Sequence, residues 1–221
     1  MVSKLRRDAA ASRARLRAAA EREFAARGFA GATVDRIAAR AGVTKAMLYY
    51  HFDSKAALYR EILRDTFGAV ADRVAEVRAA AGPPEVQVRG FIRAINDTAM
   101  AQPHFPPIWL RELADGGRHI DDSIAGQLVR VLGTLAAILG DGRQAGVFGP
   151  TPLLTTQLGV VGPLLLAAVA EPIYERNRSK LPPGPAAAFS RHAVLDHVER
   201  ATLAMLAPTA SATTDPARRT R

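Results

Sequence analysis

Apolar residues recur at helical spacing along most of the chain, and the alternating β-branched pattern of strands does not occur. From Ser12 to Arg27, Leu16, Ala20 and Phe24 fall at every fourth position and mark one buried stripe of a first helix, which Gly28 can end. Thr33 suits the N-cap of a second helix, where Val34, Ile37, Ala38 and Ala41 share a face and Asp35 sits at the positive dipole end. Gly42 supplies a turn, and Thr44 can cap a third helix running to about Phe52. Ser54 caps a longer fourth helix through Leu58 and Ile62 to about Ala80, before the break Gly82-Pro83-Pro84.

Beyond that break, Val88, Phe91, Ile92, Ile95 and Ala99 form a stripe stopped by Pro103, and a short helix from about Pro106 to Leu113 carries Trp109. Asp121 and Asp122 open a helix through Leu128, Leu132, Leu135 and Leu139 that closes at Gly140. After a glycine-rich loop, Thr151-Pro152 reads as N-cap and first-turn proline of an apolar helix, with Pro163 as an internal kink. Following a basic loop at 176–185, the last helix runs from about Ala186 to Leu206 with Val194, Val198, Ala201 and Met205 on one face. The expected organisation is therefore all-α: a flexible basic arm at 1–11, a helix-turn-helix domain at 12–65, a second helical domain at 66–206 and a disordered tail at 207–221.

Composition narrows the function classes. With 48% hydrophobic and 23% charged residues in 221, the chain has the apolar surface to fold, and having no cysteine it carries no disulfide, thiolate cage or cysteine nucleophile. A reducing cytoplasm is the expected location. The opening MVSKLRRDAA lacks the apolar core of a signal peptide. The longest apolar run, Leu158 to Ala170, has 13 residues, short of the roughly 18 of a membrane span, so no membrane partner is expected. The net charge of +9 is uneven: residues 1–65 hold 14 Lys and Arg against 7 acids, and the other 156 residues contribute only +2. That asymmetry suits phosphate binding, where neutralisation releases counterions, and equally suits a merely soluble arginine-rich surface.

Spacing separates those readings. Two short helices joined through AGV, the second opened by Thr44, make a helix-turn-helix. On the second of them, Leu48 and Phe52 point to the side of Phe24 and Ile37, whereas Lys45, Ala46, Tyr49 and Tyr50 spread over roughly 140 degrees of the other side. An exposed cluster of two tyrosines and a lysine marks a binding surface. The hydroxyls can reach phosphate or base edges, and the rings and Ala46 can meet thymine methyls. Lys55 opens the fourth helix where the dipole disfavours a cation, which argues for a neighbouring anion.

The segment GFAGATVDRIAARAGVTKAMLYYHFDSKAALY resembles the N-terminal domain of the TetR (tetracycline-repressor) family of transcriptional regulators over roughly residues 12–65. The resemblance implies that Thr33 and Thr44 touch phosphate as well as cap. It also implies that Lys45, Ala46, Tyr49 and Tyr50 contact bases and backbone, that His51 is a phosphate partner and that Lys55 is a phosphate anchor. Met47 stands where hydroxyl residues are common in the family, and a thioether donates no hydrogen bond. The family further implies repression of operator DNA relieved by a small molecule held in the C-terminal domain.

For that cavity the densest aromatic group supplies candidates: Phe91, Ile95, His104, Phe105, Trp109 and Arg111, which fit a hydrophobic, neutral or weakly anionic effector or, equally, an ordinary core. Homodimerisation is expected through the apolar helix from Thr151 and the last helix, with Val160, Leu164, Val194, Val198, Ala201 and Met205 at a two-fold interface. No catalytic, metal or cofactor site is expected. His192 and Asp196 read as a surface pair, Ser190 lies about 200 degrees round the helix from His192, and Glu21 and Glu23 cannot face each other. Two rivals stand beside the regulator: a sequence-independent nucleic-acid-binding architectural protein and a helical enzyme with a basic surface.

Overall fold

The first core gathers residues from both ends of the expected division of the chain. The computed structural model describes residues 2–180 and 190–208, with side chains from residue 7 onward. Its elements are α1 (Val2–Gly31), α2 (Val34–Ala41), α3 (Lys45–His51), α4 (Lys55–Ala79), α5 (Pro84–Ala101), α6 (Phe105–Ala114), α7 (Asp122–Gln144), α8 (Leu153–Arg176), a 3-10 turn (Arg178–Lys180) and α9 (Arg191–Leu206). The described residues are helical and form no strand. The expected tail from 209 onward, and the expected start of the last helix at 186–189, lie outside the described residues.

Several expected boundaries shift, each for a local reason. Residues 2–11, expected as a flexible arm, belong to α1, since this stretch holds neither glycine nor proline and is rich in Ala, Leu, Lys and Arg, all strong helix formers. Gly28 kinks α1 with φ 68° instead of ending it. α7 runs past Gly140 to Gln144, and two residues beyond the expected end Gly142 makes room for a neighbour: a Cβ there would sit 1.9 Å from the Phe148 ring. The turn comes at Gly146, with φ 72°, after which the Val147 and Phe148 N–H groups both donate to the Gly142 carbonyl at 2.9 and 3.0 Å. Pro152 rather than Thr151 holds the cap position of α8, and the helix continues through Pro163 and Pro172.

α4 passes unbroken through both cores. Leu58, Tyr59, Ile62, Leu63 and Phe67 belong to the first, which also contains Leu16, Phe24, Ile37, Leu48 and Phe52 and, from the other side, Phe105, Ile108, Trp109, Ile124 and Leu165. Ala71 and Val74 belong to the second, with Phe91, Ile92, Leu135, Ile138, Val160, Leu164, Val198 and Leu206. The handover thus falls between Phe67 and Ala71, inside one helix. Arg78–Asp141 at 2.6 Å and Arg130–Asp72 at 2.7 Å clamp α4 to α7. Arg89 and Arg93 of α5 reach the buried Glu199 of α9 at 2.8 and 2.7 Å. Burial opposes ionisation of Glu199, but the two guanidinium groups outweigh it and hold the carboxyl below its usual range.

Candidate nucleic-acid interface

α2 and α3 are built as the capping pattern dictates. Thr33 Oγ1 accepts the Arg36 N–H and Thr44 Oγ1 accepts the Met47 N–H, both at 3.3 Å, each satisfying one orphan donor of a helix start. Gly42, at φ 65°, turns the chain between them while the Val43 N–H returns to the Ala38 carbonyl at 3.1 Å. Leu48 is fully buried under α3, and Phe52 seals its end. Lys45 and Ala46 are exposed, as are Met47, Tyr49 and Tyr50, the last at 77%. Lys45 Nζ lies 3.2 Å from Asp35, an exposed pair of small energetic weight.

Two residues expected at phosphate face the protein instead. Lys55 Nζ donates to the carbonyls of Phe29 and Ala32, each at 2.8 Å, and stands 4.2 Å from the Phe29 ring centroid. It holds the end of α1 against the start of α4. Those two carbonyls are the anion-like partners that its position at a helix start demands. His51 Nε2 is 2.8 Å from the Ser12 hydroxyl, which itself donates to the Ala9 carbonyl at 2.9 Å, so the imidazole is the donor to Ser12. Burial, and then the Arg13 guanidinium, hold His51 below the usual histidine range. Ser12 lies 39 residues away in sequence, which is why no local motif reveals it.

The expected effector residues do not converge on one cavity. Phe91 and Ile95 lie in the second core, whereas Phe105 and Trp109 lie in the first and pack edge-on against Phe67 at 5.3 and 4.6 Å. His104 borders a cleft of about 80 Å³ with Glu21, Ile62, Gln102, Phe105 and Ile108, well below the roughly 300 Å³ of a typical ligand pocket. Arg111 turns away from any cavity. Its guanidinium donates to the carbonyls of Phe24 and Ala25 in the last turn before the Gly28 kink. Next to it the buried Glu112 accepts the His119 N–H at 2.7 Å and pairs with His119 Nδ1 at 2.9 Å. Tyr59 of α4 lies beside Glu112; burial first, then this carboxylate, push its phenol well above the usual range, so it stays protonated. The His119 ring centroid lies 4.0 Å from that of Phe29, the two rings tilted by 49°. Arg111, Glu112, His119 and Tyr59 therefore bolt α6 to α1 and α4, a junction that the sequence pattern did not single out.

The expected interface residues divide. Val160, Leu164 and Val198 are buried in the protomer's own second core, and Val194 packs against it, while Ala201 and Met205 are exposed. The helical period explains the correction: a stripe that fills one core cannot also face outward. The free face of α8 is instead Leu154, Leu158, Gly162 and Leu166, continued on α9 by Ala193, His197, Ala201, Ala204 and Met205. The most apolar stretch of α8 has a mean hydropathy of 1.9, yet only 22% of it is buried, so this face lacks a partner within the protomer.

An apolar-cored pair of short helices, the second presenting its outer side beside an excess of basic residues, has the geometry of a helix-turn-helix. Residues 16–62 match the family described as bacterial regulatory proteins, tetR family, so the match covers the helix-turn-helix segment of the chain. The HTH-type transcriptional repressor NicS of Pseudomonas putida is 28% identical over 135 residues, covering 59% of this chain and 62% of the relative. The HTH-type transcriptional regulator TtgR of Pseudomonas putida is 38% identical over 95 residues, covering 43% and 44%. The chain thus spans less than two thirds of the length of either. A tetR-family regulatory protein from Rhodococcus RHA1 has the same fold at a TM-score of 0.71 and 18% identity, over 90% of this chain and 98% of that one.

Proposed function

We propose that the protein is a homodimeric transcriptional regulator, a repressor by default, that binds operator DNA in the cytoplasm through α2 and α3 and leaves it when a small hydrophobic effector occupies the domain formed by residues 66–206. The observation that carries this reading is the outer side of α3, where Lys45, Ala46, Met47, Tyr49 and Tyr50 stand exposed on a segment holding most of the net positive charge. The unpartnered face of α8 and α9 supports the dimer, since two copies sharing it would form a four-helix interface and place two α3 helices for half-sites one DNA turn apart. The effector half requires movement: Phe105 and Trp109 are packed against Phe67, so a drug-sized ligand must displace them and, with them, the α6 junction on α1.

Retardation of the gene's own upstream DNA, in the presence of excess unrelated duplex, tests the proposal. A specific complex abolished only by unlabelled upstream DNA is the expected result. Equal competition by any duplex would favour an architectural protein, and failure to bind would overturn the reading.

A further inference from the structure

How α3 can read a duplex is decided by the polar ends it has left. The helix comprises Lys45, Ala46, Met47, Leu48, Tyr49, Tyr50 and His51, so it carries none of the Arg, Asn or Gln side chains that make paired hydrogen bonds to guanine or adenine edges. His51 is turned to Ser12 at 2.8 Å, and Lys45, paired weakly with Asp35 at 3.2 Å, lies about 120 degrees round the helix from the direction opposite Leu48. Neighbouring arginines are held too: Arg40 by Glu23 at 3.0 Å, Arg36 by the Gly31 carbonyl at 3.4 Å and Arg13 by Glu61 at 2.7 Å. At about 100 degrees per residue the direction opposite the buried Leu48 falls between Ala46 and Tyr50, with Met47 and Tyr49 on the shoulders. What meets the groove is a methyl, a thioether and two phenol rings.

We infer that α3 reads thymine methyl groups: each half-site places thymines beneath Ala46, Met47 and Tyr50, and specificity arises from burying those methyls rather than from paired hydrogen bonds to guanine. The inference rests on the DNA-binding reading above and gives it a ligand chemistry. The hydroxyls of Tyr49 and Tyr50 have no protein partner among the described residues and are available to phosphates at the groove edge. Met47 is the adaptable member, its unbranched thioether able to follow a methyl at the groove floor.

The test selects bound sequences from a random duplex pool with the full-length protein, then replaces single thymines of the selected half-site by uracil, which removes only the methyl. Each thymine under α3 should cost about fourfold in affinity on losing its methyl. The penalty at one of these positions should vanish in Met47→Ala, whereas 7-deazaguanine in place of guanine should change little. Uracil substitution that is neutral throughout, with 7-deazaguanine costing about tenfold or more, would overturn the inference in favour of guanine readout by a released Lys45. Selection of no sequence above the bulk pool would instead overturn the operator-binding reading, and the inference with it.

Discussion

Glu112→Gln should destabilise the fold out of proportion to its near-identical shape. Two donors of His119 converge on the carboxylate, its N–H at 2.7 Å and Nδ1 at 2.9 Å. A carboxamide keeps one neutral acceptor oxygen for the His119 N–H and presents an NH2 that can only donate, so His119 must change tautomer to accept from it and both charge-assisted bonds are lost. Hydrogen bonds to a charged group contribute about 1.5–3 kcal/mol against about 0.5–1.5 kcal/mol for neutral ones, so a loss of about 1–2 kcal/mol is expected. For a chain of this size that corresponds to a drop in Tm of roughly 2–8 °C. Circular dichroism melts of parent, Glu112→Gln and the exposed control Asp115→Asn would measure it. Operator affinity should fall as well, because the same carboxylate holds α6 against α1 and α4, which carry the helix-turn-helix. A Tm for Glu112→Gln indistinguishable from that of Asp115→Asn would refute the claim that this carboxylate bolts the junction.

Leu158→Arg places a charge on the free face of α8 and should yield folded monomers with weak operator binding, as sedimentation and retardation would show. Val198→Arg, whose site is 2% exposed inside the protomer, should instead fail to accumulate as folded protein. His51 is held below its usual range, so the fold favours its neutral form: stability is full above about pH 6.5 and is lost as the pH falls through that value towards the folded pKa. The decline in Tm on acidification should be shallower in His51→Gln; an identical slope would show that His51 does not titrate with folding. Gly142→Ala drives a Cβ into the Phe148 ring, and overpacking of about 1–3 kcal/mol should lower Tm while leaving the α3 face, and hence DNA discrimination, intact.

The helix-turn-helix was legible because everything that makes it is local. Thr33 and Thr44 cap within three residues, Gly42 turns where only a positive φ serves, and the buried Leu48 lies opposite the exposed Tyr50 by the period of a single helix. What failed were inferences from residue type without partners. Lys55 and His51 look like phosphate ligands until the Phe29 and Ala32 carbonyls and the Ser12 hydroxyl come into place from α1. Arg111 looked like a polar contact for a ligand, and its partners are main-chain carbonyls 86 and 87 residues earlier. Gly140 reads as a helix end on propensity alone, but α7 continues past it, and at Gly142 only the approach of Phe148 shows that the missing side chain makes room.

The continuity of the first core bears on regulation. Had the helix-turn-helix owned a separate core, an effector could act on it only by swinging it as a rigid body about a linker. Here Phe67, Phe105 and Trp109 form one aromatic cluster within the core that also holds Phe24, Leu48 and Phe52. The neighbouring residues Arg111 and Glu112 grip the end of α1 and the side of α4. Since α4 also supplies Ala71 and Val74 to the second core, a shift of α6 cannot be absorbed among residues 66–206 without either opening a void beside Phe67 or moving α1. Close packing makes both arrangements discrete rather than graded, which is the property a two-state regulator needs. The unique Trp109 sits at that point, so its emission should report the switch directly: a ligand that releases DNA must also change the tryptophan signal, and release with unaltered emission would mean that coupling bypasses α6.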